Sequence, residues 1–309
     1  MLANFLGKSK PINFIILLSL FICLFLGTSF SLFYTDSIAF TSLLKTVGFI
    51  GLYLIVFFFY NFTVYKNNLT LDNSYAFAIF TALLSYLLPV ITSFKTLVIV
   101  LLYTLWLRKI YSLKSPNKIL PKLFDSGFWL GFLFLLEPFS AVFTTLIYAA
   151  IFLHQKPIIN YLIAPILGFS TPLVIYATYC VWFDQFFLFT NLFYFESIPN
   201  FVFYSGHNFY WISVCIAILS VISIFLKSPK TFSINDSFKK SWILLLINIT
   251  IAVFFALLIP TKNGTEFLFV LFPAAVIIAN GLETVTNNFI KNLFFILLII
   301  SAIAVPFLL

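Results

Sequence analysis

The chain has 309 residues, 62% of them hydrophobic and 8% charged, with a mean hydropathy of +1.12. Soluble domains carry about 25% charged residues, so a water-soluble globule is excluded and a polytopic membrane protein in contact with lipid is expected. The 17 basic against 9 acidic residues are no nucleic-acid footprint, because the positive charges sit in short loops between apolar runs, where they set topology.

An apolar run from Ile12 to about Tyr34 follows Lys8 and Lys10. It is too long for the apolar core of a signal peptide, and TSFSLFYTDS offers no small-residue cleavage site, so it is expected to be the first span. Further membrane segments are expected at 43–64, 74–92, 96–112, 124–153, 158–182, 209–226, 241–259, 266–283 and 292–309. The fold class is thus all-α, a polytopic transmembrane helical bundle of about 10 segments. The whole of 1–309 is expected to be a single integral-membrane domain. Cys23, Cys180 and Cys215 fall singly in apolar runs and read as small buried hydrophobes.

The segment 124–153 is unusual. It is apolar almost throughout, yet Glu137-Pro138 stands at its centre. About thirty helical residues make a rod of roughly 45 Å, against a hydrocarbon core of about 30 Å, and each half alone, at about 20 Å, is too short to cross. Proline drives the residue before it out of helical geometry, so the break falls on the carboxylate. Charge decides the threading. If the segment enters and returns on one side, with the N-terminus cytoplasmic, 14 of the 17 basic residues lie inside and only Lys45, Lys95 and Lys262 outside. If it crosses once, the split becomes 9 to 8. The positive-inside rule favours the first arrangement, a broken, re-entrant hairpin with Glu137 aimed outward.

That topology puts Asp36, Asp184, Glu196 and Glu266 on the outer side with Glu137. A charged group within a membrane segment marks a functional candidate, its alternative being a carboxylate that simply reaches the interface. Trp182–Trp211 is densely aromatic and interrupted by Asp184, Glu196 and His207. It reads as an interfacial aromatic belt, or as a platform for a lipid tail or a sugar. Near Asn263-Gly264, Thr265 is expected to cap a helix with Glu266 in its first turn, and Lys262 beside that N-terminus could meet a phosphate. Gly127 and Gly131 form a GxxxG that admits a neighbouring helix. Asn248 is the clearest polar residue inside another span and is expected to pair between helices. His154 and His207, the two histidines, fall on opposite faces and cannot share a metal. No HExxH, CxxC, Walker A or GxSxG pattern occurs, and no metal or cofactor is expected. Lysine far outnumbers arginine and 44 residues are Phe, the imprint of AT-rich codons in a bacterial genome.

FLGKSKPINFIILL, LRKIY with LFDSGFWLGFLFLLEP, and EFLFVLFPAAVIIANGLE resemble a family of multi-pass inner-membrane proteins of Bacteroidota, a domain of unknown function. A more distant similarity is to C-type glycosyltransferases, which use polyprenyl-phosphate sugars on the outer face. Asp36, the one acid of the first outer loop, matches their acidic residue, and Lys262 is the nearest match to their phosphate-holding cations. The chain departs from them in having no paired acid after Asp36, no outer arginine and no sizeable periplasmic domain. The resemblance implies a membrane-embedded transferase in the bacterial inner membrane, with Asp36 or Glu137 as general base. Asp184, Glu196, His207, Lys262 and Glu266 would serve as its substrate-binding residues. The alternatives are a small-solute transporter or a non-catalytic subunit of an envelope assembly. The sequence identifies no protein partner.

Overall fold

The computed structural model describes residues 2–33, 40–91, 93–155, 157–194, 209–234, 236–260, 262 and 264–308. Among them all regular structure is helical. The helices are α1 (Leu2–Leu6), α2 (Pro11–Phe33), α3 (Phe40–Lys66), α4 (Tyr75–Tyr86), α5 (Phe94–Tyr111), α6 (Ile119–Leu136), α7 (Thr144–His154), α8 (Ile159–Trp182), α9 (Phe186–Asn191), α10 (Phe209–Ile234), α11 (Asp236–Leu258), α12 (Leu268–Thr284) and α13 (Asn288–Leu308). Short 3₁₀ turns at Pro138–Phe143 and Thr265–Phe267 precede α7 and α12. Nine helical stretches among the described residues are long and apolar enough to cross a membrane.

Contacts between distant segments sort the helix ends into two groups. At one end the Ala3 N–H donates to Asn292 Oδ1 (2.8 Å), the Ser74 N–H to the Leu6 carbonyl (2.9 Å), and Asn280 Nδ2 to the Leu69 carbonyl (2.8 Å). Lys109 pairs with Asp125 there at 2.5 Å. This is the lysine-rich end. At the opposite end Tyr86 Oη and Ser301 Oγ lie 2.7 Å apart, and the rings of Phe49 and Phe94 pack with centroids 4.5 Å apart.

The chain leaves the lysine-rich end in α6, turns at Glu137, and returns in α7, so that Gln155 Nε2 donates to the Leu113 carbonyl at 2.6 Å. The hairpin expected from the charge split is present, with one difference. Its first arm starts at Ile119, not 124, because Pro121 falls in the first helical turn, where a missing N–H costs no bond. Its 18 residues extend about 27 Å, enough to cross.

The segment expected at 74–92 also differs. Helix α4 has only 12 residues, all of them buried, so it is enclosed by other helices. Helix α12 is the second enclosed element: 89% of its span is buried, against 17% for α8 and for α10. The last two show large apolar side chains on their surfaces, such as Ile175 and Phe225, as lipid-facing helices do. Of the cysteines, Cys180 is buried as expected, whereas Cys23 and Cys215 lie on the bundle surface.

Close packing joins α6 to α8. A Cβ placed on Gly127 would collide with the Pro165 carbonyl oxygen, one on Gly168 with that of Phe124, and one on Gly131 would stand 2.7 Å from that of Phe169. The GxxxG therefore lets two backbones touch. Asn248, fully buried, pairs between helices: its Nδ2 donates to Tyr111 Oη at 3.0 Å, and its Oδ1 lies 3.1 Å from Tyr103 Oη.

Candidate functional site

Glu137 ends α6 with φ −142° and ψ 91°, the extended geometry that Pro138 imposes. Its N–H still donates to the Leu133 carbonyl (2.8 Å), and its own carbonyl accepts from the Ser140 N–H (2.9 Å). The 3₁₀ turn that follows is anchored by Phe143. That ring is buried among Tyr103, Trp106, Phe255 and Phe269, with centroids 5.1–5.5 Å away. A rigid aromatic cluster thus fixes the backbone that carries the carboxylate. The side chain of Glu137 is half-buried, and the charged groups whose fields reach it are Lys95 and Glu266. Lys95 is exposed in the first turn of α5, behind Ser93, whose Oγ accepts from the Thr96 N–H at 3.2 Å.

Lys262 and Glu266 stand close to one another between α11 and α12. Lys262 is buried and turns back onto the end of α11, where its Nζ donates to the carbonyls of Ala256 and Leu257. A cation placed there satisfies orphan carbonyls and the helix dipole together. Burial pushes the Lys262 ammonium down from the usual lysine range, and the Glu266 carboxylate pulls it the other way. Glu266 is 1% exposed in the 3₁₀ turn before α12. The cap itself departs from expectation: Gly264, at φ 85°, occupies the cap position and Thr265 is the first residue of the turn. A left-handed φ favours glycine at that point.

Four charged groups, Lys95, Glu137, Lys262 and Glu266, therefore gather around the hairpin turn and the start of α12. Asp184 is exposed just beyond α8 at φ 55°. The aromatic stretch is partly described. Helix α9 folds back so that Phe193 packs on Phe134, near the end of α6 (5.7 Å), while Phe186 and Phe187 stay exposed. Asp36, Glu196 and His207 lie outside the described residues.

A second polar cluster, at the lysine-rich end, was not singled out from the sequence. Glu283, its side chain 3% exposed, accepts from Lys227 Nζ, the Leu71 N–H and Asn73 Nδ2, each at 2.8 Å. The available signal was a carboxylate closing an apolar span in a chain with only 9 acids.

The fold defines a multi-pass helical membrane protein. No family model, curated protein or solved structure matches the chain.

Proposed function

We propose that this membrane protein is a transferase that uses a lipid-linked substrate, a polyprenyl-phosphate sugar, at the lysine-poor end of its bundle. The supporting observation is the Glu137 turn: a half-buried carboxylate on a rigid break, with an exposed cation, Lys95, and a second carboxylate, Glu266, in its field. The charge distribution supports an orientation with the lysine-rich end and the N-terminus in the cytoplasm, and the membrane in this reading is the bacterial inner membrane. The turn then faces the periplasm, within a single integral-membrane domain over 1–309.

In this reading Glu137 accepts the proton of an acceptor hydroxyl as that oxygen bonds to the anomeric carbon. The bond from that carbon to the phosphate oxygen breaks, and polyprenyl phosphate leaves. Lys95 meets the departing phosphate, and Lys262 and Glu266 set the field behind it. Asp36 is the alternative base. The aromatic stretch with Asp184, Glu196 and His207 guides the lipid and the sugar.

A second reading, a small-solute transporter or a non-catalytic subunit of an envelope assembly, is favoured by one feature. A membrane helix interrupted at an acid is also how transporters build their sites. Lipid-linked glycan profiles of a deletion strain carrying each variant decide between them. Glu137→Gln or Asp36→Asn should abolish the wild-type glycan pattern while membrane abundance stays unchanged. Full complementation by both variants would overturn the transferase reading, and unchanged glycans with altered solute uptake would establish the second.

A further inference from the structure

At the lysine-rich end a cavity of about 530 Å³ opens between the α3–α4 loop, the end of α10, the start of α11 and the end of α12. This lies within the range of about 300–1,000 Å³ usual for small-molecule sites. Three lysines, Lys114, Lys227 and Lys230, line it against one carboxylate, Glu283. That carboxylate is already committed to Lys227, Asn73 and the Leu71 N–H, so its role is to hold two walls of the cavity together.

The ammonium groups are not committed to the same extent. Each carries three N–H donors. Lys227 gives one to Glu283 and rests over the Phe238 ring, 5.1 Å from its centroid. Lys230 reaches the Thr284 carbonyl at 3.3 Å, and Lys114 reaches the Asn67 carbonyl at 3.5 Å, the limit of a hydrogen bond. The remaining donors have no second carboxylate among the lining residues to receive them. Three cations against one committed carboxylate leave the lining with a net positive charge, which an entering anion would offset.

We infer that this cavity is a binding site for a phosphate group, seated among Lys114, Lys227 and Lys230. The same chemistry is offered by a phospholipid headgroup and by a soluble phosphorylated molecule. The site lies at the opposite end of the bundle from Glu137 and does not depend on the transferase reading.

The test uses the full chain, purified and followed by thermal unfolding. One arm titrates inorganic pyrophosphate in detergent. The other compares nanodiscs of pure phosphatidylcholine with nanodiscs containing phosphatidylglycerol. The Lys114→Gln/Lys230→Gln variant removes two charges without breaking the Lys227–Glu283 pair. Stabilisation by pyrophosphate, weakened about 10-fold or more in that variant, supports the site and assigns a soluble ligand. Stabilisation by phosphatidylglycerol alone, reduced to the same degree, supports it and assigns a lipid headgroup. Should the double variant not fold, Lys230→Gln, an exposed side chain, supplies the comparison with an expected loss of about 3- to 10-fold. Failure of both probes to stabilise the wild type, or equal stabilisation of the variant, overturns the inference.

Discussion

A carboxylate inside a membrane protein must be neutralised by its neighbours or give up its charge, and Glu283 and Glu137 meet that demand differently. Glu283 is saturated by a lysine and two N–H donors, which makes it a structural tie between the α3–α4 loop and α10. Glu283→Leu should cost about 3 kcal/mol of stability, because it strands the half-buried Lys227 ammonium. Adding Lys227→Met should recover most of that loss, because the Leu71 N–H is exposed and water can take the place of the carboxylate. Unfolding in mixed micelles measures both, and an additive double variant would show that the pair is not coupled. Among the described residues Glu137 has no such saturation, only the fields of Lys95 and Glu266. It was legible in the sequence because a carboxylate beside a proline interrupts an apolar run. Glu283 was not legible, since its partners Lys227, Leu71 and Asn73 are 56 to 212 residues away and no local spacing announces them.

The pairing of α6 with α8 rests on absent side chains. At Gly127 and Gly168 a Cβ meets backbone carbonyl oxygen, which cannot swing aside as a flexible side chain would. Gly127→Ala or Gly168→Ala should therefore destabilise the protein by about 1–3 kcal/mol. Gly51→Ala, in α3, where nothing lies within 4 Å, should be neutral or slightly stabilising. Thermal inactivation in detergent compares the three, and an equal effect at Gly51 would remove the packing explanation. The spacing of Gly127 and Gly131 announced a close approach, but not its partner, because Gly168 is a lone glycine between Pro165 and Pro172. Hydropathy likewise could not separate α4 from a true span. A helix enclosed by protein and a helix bathed in lipid are both apolar all round; the 12-residue length of α4 sets it apart from a span, whereas α12 is enclosed at full spanning length.

For the molecule as a whole, the distribution of lysines was the most informative property of the sequence. It required the chain to turn back within 124–153, and the turn at Glu137 with Gln155 beside Leu113 is that reversal. The reversal carries a direct expectation for topology reporters. Alkaline phosphatase fused after Gln155 should be inactive and fluorescent protein fused there should be bright, with the pattern inverted at Asp184. High phosphatase activity at Gln155 would mean that α6 and α7 do not form a hairpin across the membrane.

The enclosure of α12 has a consequence for the order in which the molecule is made. Most of the chain, including every lipid-facing helix except α13, leaves the ribosome before Leu268. The helices that will surround α12 must therefore wait around a vacancy until their central post is synthesised. Until then Tyr103, Phe255 and Leu69 lack the partners that Phe269 and Asn280 will bring. The bundle is thus an arch whose keystone comes late, and a ribosome stalled ahead of Leu268 would leave behind a set of inserted helices with no centre.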